Sequence, residues 1–219
     1  MSAIKWNDID TVLLDMDGTL LDLNYDNVLW NERLPERYAK HHGVTKDAAR
    51  ATLERHFHET RHTIEHYCLD YWARFTQLDM LSLHRELMHL IRYRPHAEAF
   101  LDRLRETGRR AVLVTNAHRG GLSIKDELTG LTGRLDHTFS SHDFQAPKES
   151  GEFWIQLEAA LPFDPSRCVL IDDNASVLSA AGRHGVSQLV TVSQPDSARP
   201  PRRELAHVAF NGFDEIMPP

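Results

Sequence analysis

Cysteine is scarce: of 219 residues only Cys68 and Cys168 carry a thiol. Two thiols so far apart exclude a disulfide scaffold and fit a reducing compartment. Long apolar runs are missing as well. Nothing approaches the about 18 consecutive apolar residues of a membrane span, and the stretch Met1 to Asp8 has no apolar signal core. Nor is there a basic excess. Lys and Arg number 25 against 32 Asp and Glu, a net charge of -7, which argues against nucleic acid or an anionic membrane as a partner. A soluble cytoplasmic protein is expected, and the acidic balance does not exclude a phosphorylated small molecule, because local charge and a metal decide that. The 41% hydrophobic content suffices for one substantial core and a smaller second unit.

What is present begins with Thr11-Val12-Leu13-Leu14-Asp15-Met16-Asp17-Gly18-Thr19-Leu20. The apolar, partly β-branched run reads as a buried strand. It stops in two carboxylates, and Gly18 then permits a sharp turn. In an extended segment Asp15 and Asp17 point the same way, so they repel unless a cation lies between them. Mg²⁺, a hard cation that prefers oxygen ligands, would resolve the conflict.

From Asn24 to about Arg94 the pattern becomes helical. Thr45 reads as an N-cap before Lys46-Asp47-Ala48, and Leu53, Phe57, Ile64, Cys68 and Tyr71 to Phe75 continue an apolar stripe. A stretch of about 70 residues is too long for a structureless loop in a compact domain. Residues 23–94 therefore read as a helical cap, inserted after the first strand of a core made of 1–22 and 95–219. Pro95 opens a helix to Glu106 that Gly108 stops. Further strands are read at Ala111 to Thr115, Phe139 to Ser141, Cys168 to Ile171, Leu189 to Val192 and Val208 to Phe210. Helices follow Pro147-Lys148-Glu149 and span Val177 to Ala181, and the Pro-, Ser- and Arg-rich stretch Ser193 to Arg203 reads as a mobile surface loop.

Strands alternating with helices predict a doubly wound, mainly parallel α/β sheet. Ligands gather at the carboxyl ends of such strands. Three strands end in polar groups there: Asp15, Thr115-Asn116 and Asp172-Asp173. Chemically the set suits a phosphate ester. Asp15 offers a nucleophile, Asp17 a general acid and base, Thr115 and Asn116 hydrogen bonds to phosphoryl oxygens, and Lys148 a cation.

Asp15 to Thr19, Thr115, Lys148 and Asp172-Asp173, in that order, resemble the four motifs of the haloacid dehalogenase superfamily of phosphohydrolases. The resemblance implies Mg²⁺ held by Asp15, the Asp17 backbone carbonyl and Asp173, with Asp172 acting directly or through water. Dehalogenases lack the second Asp of the first motif, so Asp17 favours phosphoryl transfer, by a phosphatase or a sugar-phosphate mutase. Trp6 to Leu23, His62 to Trp72, Thr115 to His118, Pro147 to Glu149 and Pro195 to Ser197 further resemble the bacterial GMP/IMP 5′-nucleotidases of this superfamily. That likeness implies purine nucleoside monophosphates as substrates. In the cap, His66, Tyr67, Tyr71 and Trp72 either pack the cap's own core or line the substrate cavity, where an aromatic can stack on a purine; at least one is expected to line the cavity. His118, just beyond Asn116, is a candidate near the phosphate.

One motif points elsewhere. His58-Glu59-Thr60-Arg61-His62 matches the His-Glu-x-x-His pattern of zinc hydrolases, which needs both histidines on one helical face.

Overall fold

A computed structural model describes residues 4–219; the start of the N-terminal stretch, Met1 to Ala3, lies outside them. Six parallel strands form one sheet: β1 (Thr11–Leu14), β2 (Arg110–Thr115), β3 (His137–Ser140), β4 (Cys168–Ile171), β5 (Gln188–Val192) and β6 (Val208–Phe210). Their spatial order is β3-β2-β1-β4-β5-β6, the doubly wound arrangement expected. All four residues of β1 are buried because helices cover both faces of the sheet.

Between β1 and β2 the chain forms α1 (Asn24–Val28), α2 (Leu34–His42), α3 (Lys46–Glu59), α4 (Leu69–Thr76), α5 (Met80–Glu86) and α6 (Ala97–Glu106). The remaining helices are α7 (Arg119–Thr129), α8 (Ser141–Phe144), α9 (Gly151–Ala160) and α10 (Ala175–His184). Alternation along β1 sorts the core. Val12 and Leu14 pack with Phe100, Leu101 and Leu104 of α6, whereas Leu13 packs with Trp154 and Leu157 of α9 and Leu178 of α10. A third cluster, Tyr25, Leu29, Leu34, Leu53, Leu69, Trp72, Met80, Leu83 and Leu87, belongs to the helices between Asn24 and Leu90 alone.

That helical segment leaves and rejoins the sheet at one place. Asp22 N–H donates to Arg92 O (3.0 Å), Arg94 N–H donates to Leu20 O (2.9 Å), and Leu21 bridges Tyr93. Thr45 caps α3 by accepting Ala48 N–H at 3.2 Å. Three local readings need correction. Pro95 and His96 precede α6 rather than opening it, with His96 at φ 62° as its N-cap. The helix after Asn174 runs through Gly182 and is closed by Gly185 at φ 105°. The Ser193 to Arg203 stretch is exposed from Ser197 onward, but Pro195 and Asp196 are buried: Pro195 O accepts Leu23 N–H, and Asp196 accepts from Asn27 Nδ2 at 2.7 Å. This loop is stitched to the entry of the helical segment. Among the described residues no helix is long and apolar enough to cross a membrane.

Candidate active site

Register places the site. Leu14 lies level with both Leu113 and Ile171, so β1 and β4 end together and β2 runs two residues further, to Thr115. The ladder continues one step: Asp15 N–H donates to Ile171 O (3.0 Å) and Asp172 N–H to Val190 O (3.1 Å). The side chains of Asp15, Asp172 and Asp173 are thereby brought to one point, each offering an oxygen within 4.8 Å of the others.

Lys148 sits among them and is 2% exposed. Its ammonium donates to Asp15 Oδ1 (2.6 Å), Asp172 Oδ2 (2.7 Å) and Val114 O (3.0 Å), which uses all three N–H bonds. Burial alone would drive the lysine toward neutrality, but the Asp15 and Asp172 carboxylates outweigh burial and hold it protonated. One cation does not balance three carboxylates, two buried and the third, Asp173, partly so. Burial pushes the Asp15 carboxyl well up, and burial with the Asp172 charge raises Asp173 to about 7. The excess negative charge, on oxygen donors at close range, fits a divalent hard cation.

Backbone geometry clears space beside this cluster. Gly18 has φ +83° and donates its N–H to Leu21 O at 2.8 Å. A Cβ there would lie 2.9 Å from Asp173 Cγ. Asp17 points to a second lysine: Lys125 of α7 donates to Asp17 Oδ1 at 2.6 Å and to both oxygens of Asp26 at 2.9 Å. Burial followed by the Asp17 charge raises Asp26 to about 7.

Thr115 Oγ1 accepts Ala117 N–H (3.0 Å) and keeps its own hydrogen free to donate. Asn116 is more committed, since its Oδ1 accepts Lys148 N–H (3.0 Å) and its Nδ2 donates to Glu149 Oε2 (3.1 Å). Asp172 also accepts Asn174 N–H (2.8 Å), while the Asp173 carboxylate has Arg202 Nη1 4.0 Å away. Asp15, Asp17, Thr115, Asn116, Lys148, Asp172 and Asp173 all line one cavity of about 670 Å³.

The helical segment forms the opposite wall. There the backbone between α1 and α2 widens into a π-turn over Leu29–Arg33, a feature frequent at functional sites, which presents Trp30 and Asn31. Glu54, Phe57, His58 and Arg61 join them, with His66 and Tyr67 from the 3₁₀ turn Ile64–Tyr67. Two of the four cap candidates are elsewhere. The Trp72 ring is fully buried inside the helical cluster, its Nε1 donating to His66 O at 2.9 Å. Tyr71 stacks on His56, with centroids 5.5 Å apart. His118 lines the cavity and caps α7, accepting Gly120 N–H at 3.2 Å.

The zinc-hydrolase motif is not assembled. Helix α3 ends at Glu59, and His62 has φ 66° in the turn beyond it. His58 lines the cavity and His62 does not. Neither belongs to a converging group of metal-type donors among the described residues.

Lys125, Asp26 and Glu149 were missed as site residues. Gly121, Leu122 and Lys125 are spaced to share the buried face of α7, and a lysine on a buried helical stripe is the signal that marks Lys125. Glu149 accepts from two residues that line the cavity, Asn116 and, at 2.6 Å, Tyr67 Oη. No sequence pattern marks that contact.

Comparison with known proteins agrees with the geometry. A family model described as haloacid dehalogenase-like hydrolase matches residues 9–185. The chain is 37% identical over 215 residues to the GMP/IMP nucleotidase YrfG of Escherichia coli K12, covering 98% of this chain and 97% of that protein. It shares its fold with a HAD phosphatase from Thermococcus onnurineus (TM-score 0.79, 21% identity, 95% and 96% of the two chains). A hydrolase from Pseudomonas syringae has the same fold (TM-score 0.63, 16% identity, 95% of each chain). With its motifs ordered along the chain and gathered at three strand ends, this protein belongs to the haloacid dehalogenase-like hydrolases.

Proposed function

We propose that the protein is a phosphomonoesterase that hydrolyses purine nucleoside 5′-monophosphates, GMP and IMP foremost, through a phosphorylated Asp15. The observation that carries the phosphoryl chemistry is Asp15 with Lys148, Asp172 and Asp173 at the floor of a cavity large enough for a nucleotide. The substrate class rests on the likeness to the E. coli nucleotidase over nearly the whole chain.

Asp15 attacks phosphorus in line, forming the Asp15 Oδ–P bond while the bond to the nucleoside oxygen breaks. Asp17 gives its proton to that leaving oxygen, then takes one from the water that cleaves the acyl phosphate. Lys125 fixes Asp17 by one oxygen, Oδ1, which leaves Oδ2 for proton transfer. Lys148, with its N–H bonds occupied, acts on the phosphoryl oxygens through charge. Thr115 donates its hydroxyl to them, and Asn116 holds the Lys148 backbone in place. Asp15, Asp173 and the Asp17 carbonyl would hold Mg²⁺, with Asp172 oriented behind them. When bound, the ion supplies neutralisation of the charge shared by Asp15 and the phosphoryl group.

The segment 23–94 serves as a cap over this floor, and it excludes water during the first step. His66 and Tyr67 with Trp30 and Phe57 are placed to meet the nucleoside.

A phosphate-release screen over nucleoside monophosphates and sugar phosphates, with Mg²⁺ and with chelator, tests the proposal. Release from GMP and IMP above all other esters, lost with chelator, is expected. A preference for sugar phosphates, or release unaffected by chelator, would overturn it.

A further inference from the structure

A second convergence of donors lies outside the carboxylate cluster, at the seam between the helical segment and the sheet. Cys68 immediately precedes α4, His118 caps α7 and His142 lies in α8; the ligand-type atoms of all three lie within 4.8 Å of one another. The two imidazole rings are 4.9 Å apart at 82°, so they do not stack. His142 Nε2 is buried and has no hydrogen-bond partner among the described residues. Of the eight buried side-chain polar atoms without a partner among the described residues, it is the one on a residue that belongs to a converging group of metal-type donors. On the solvent side, Asp70 Oδ2 comes to 3.8 Å from His118 Nε2, and its side chain is 73% exposed.

We propose that Cys68, His118 and His142 form a zinc site, distinct from the carboxylate cluster, that ties the helical segment to the sheet. One sulfur and two imidazoles suit a borderline-soft cation and not Mg²⁺, which demands oxygen. Tetrahedral bonds of about 2.0–2.3 Å place ligand atoms roughly 3.3–3.8 Å apart, so small side-chain rotations complete the set. Asp70, in the first turn of α4, supplies the fourth position. Binding releases the Cys68 thiol proton to solvent. Ligation through His118 Nε2 moves that ring's proton to Nδ1 and gives up the 3.2 Å contact with Gly120, a small loss against a metal bond. The unpartnered His142 nitrogen gains its ligand. Because Cys68 comes from one side of the seam and both histidines from the other, an occupied site clamps the turn that carries His66 and Tyr67 against Asn116. Zinc binding therefore slows turnover in a chain whose cap must open; this last clause rests on the proposed function, but the site itself does not.

Cobalt and zinc titrations of the full chain in saturating Mg²⁺ test the site without substrate. One equivalent of Co²⁺ is expected to give a near-ultraviolet thiolate charge-transfer band and the intense visible bands of four-coordination. Cys68→Ser should abolish the charge-transfer band, and His142→Gln should weaken zinc affinity, measured against a chromogenic chelator, by about tenfold or more. Buried Cys168 provides the internal control. Thermal unfolding in chelator checks that both variants fold. A wild-type cobalt spectrum without a thiolate band overturns the proposal even if a variant misfolds. So does zinc binding that is unchanged in Cys68→Ser, since the metal would then sit on the carboxylates alone.

Discussion

The two walls of the cavity are built on different principles. Its floor comes from strand ends set level by register and is fastened by short bonds between nearly buried groups, Lys148 to Asp15, Asp172 and Val114. Its roof comes from helix ends and turns packed through rings: Trp30 against Phe57 at 5.6 Å and against Trp72 at 5.5 Å. Polar contacts also join the two, among them Tyr67 to Glu149, Asn27 to Asp196, Lys125 to Asp26 and Arg85 to Glu127. A floor so fastened holds charge in fixed positions, which is what phosphoryl transfer requires. A roof held mostly by apolar contact can shift against it wherever it does not pull on Lys125 and Asp26, the little-exposed ion pair that pins α1 to α7.

The largest effects are expected at the floor. Asp15→Asn keeps the shape of the side chain and removes the nucleophile. Turnover of GMP should fall by about a thousandfold or more, with the unfolding midpoint near that of the wild type. More than a tenth of the rate surviving would remove Asp15 from its role. Lys148→Met acts on stability as well. Two buried carboxylates lose their cation, and removing one partner of a buried pair costs about 3–5 kcal/mol, which urea denaturation would read as a lower midpoint. Raised Mg²⁺ should recover part of this loss, whereas a change below about 1 kcal/mol would contradict the charge balance argued for the floor.

The same contrast governs what could be read from the residues alone. The β1 run, the β4 run and their terminal carboxylates are local patterns, and parallel topology makes their convergence obligatory, so the meeting of Asp15, Asp172 and Asp173 was legible. The Thr45 cap was legible for the same reason. The roof was not. Tyr67 and Trp72 share an aromatic-rich stretch, yet one faces the cavity and the other the helical core. The 3₁₀ turn and the start of α4 decide which, and neither leaves a periodicity long enough to detect. Lys125 escaped because α7 opens with Arg119-Gly120-Gly121, residues that disguise a helix. His58 and His62 show the reverse failure, a motif correct in spacing whose helix stops too early.

Acidity gives a subtler distinction. Asp173 titrates at about 7 in the folded chain against an ordinary 3.8. Between those values the folded state binds more protons than the unfolded, so metal-free stability should fall as pH rises through that window and level off above it. Mg²⁺ relieves the repulsion only where Asp173 is ionised. The rise in Tm on adding Mg²⁺ should therefore be several degrees larger at pH 8 than at pH 5. Equal shifts at both would show that the floor carboxylates do not share the ion.

Tyr67→Phe cuts one of the bonds between roof and floor, the 2.6 Å contact with Glu149. A hydrogen bond to a charged group is worth about 1.5–3 kcal/mol, but it is made between two parts that the proposed function requires to separate. KM for GMP should rise by several-fold, with kcat changed by less than about threefold. A loss confined to kcat would mean instead that Glu149 positions the floor through Asn116 and that the roof contributes little.

Thr45→Ala closes the series, because it touches the roof and nothing catalytic. The hydroxyl accepts Ala48 N–H at 3.2 Å at an exposed helix start. Loss of such a cap costs about 1 kcal/mol, so the Tm should drop by a few degrees. Helix α3 carries Phe57 and His58 at its far end, where they line the cavity. If the roof adapts through apolar packing, fraying at Thr45 leaves that end seated, since Leu53 is buried in the helical cluster between the two. Kinetics with GMP should then match the wild type at 25 °C. A raised KM at unchanged kcat would show that α3 transmits strain along its length, and that the roof is as rigid as the floor.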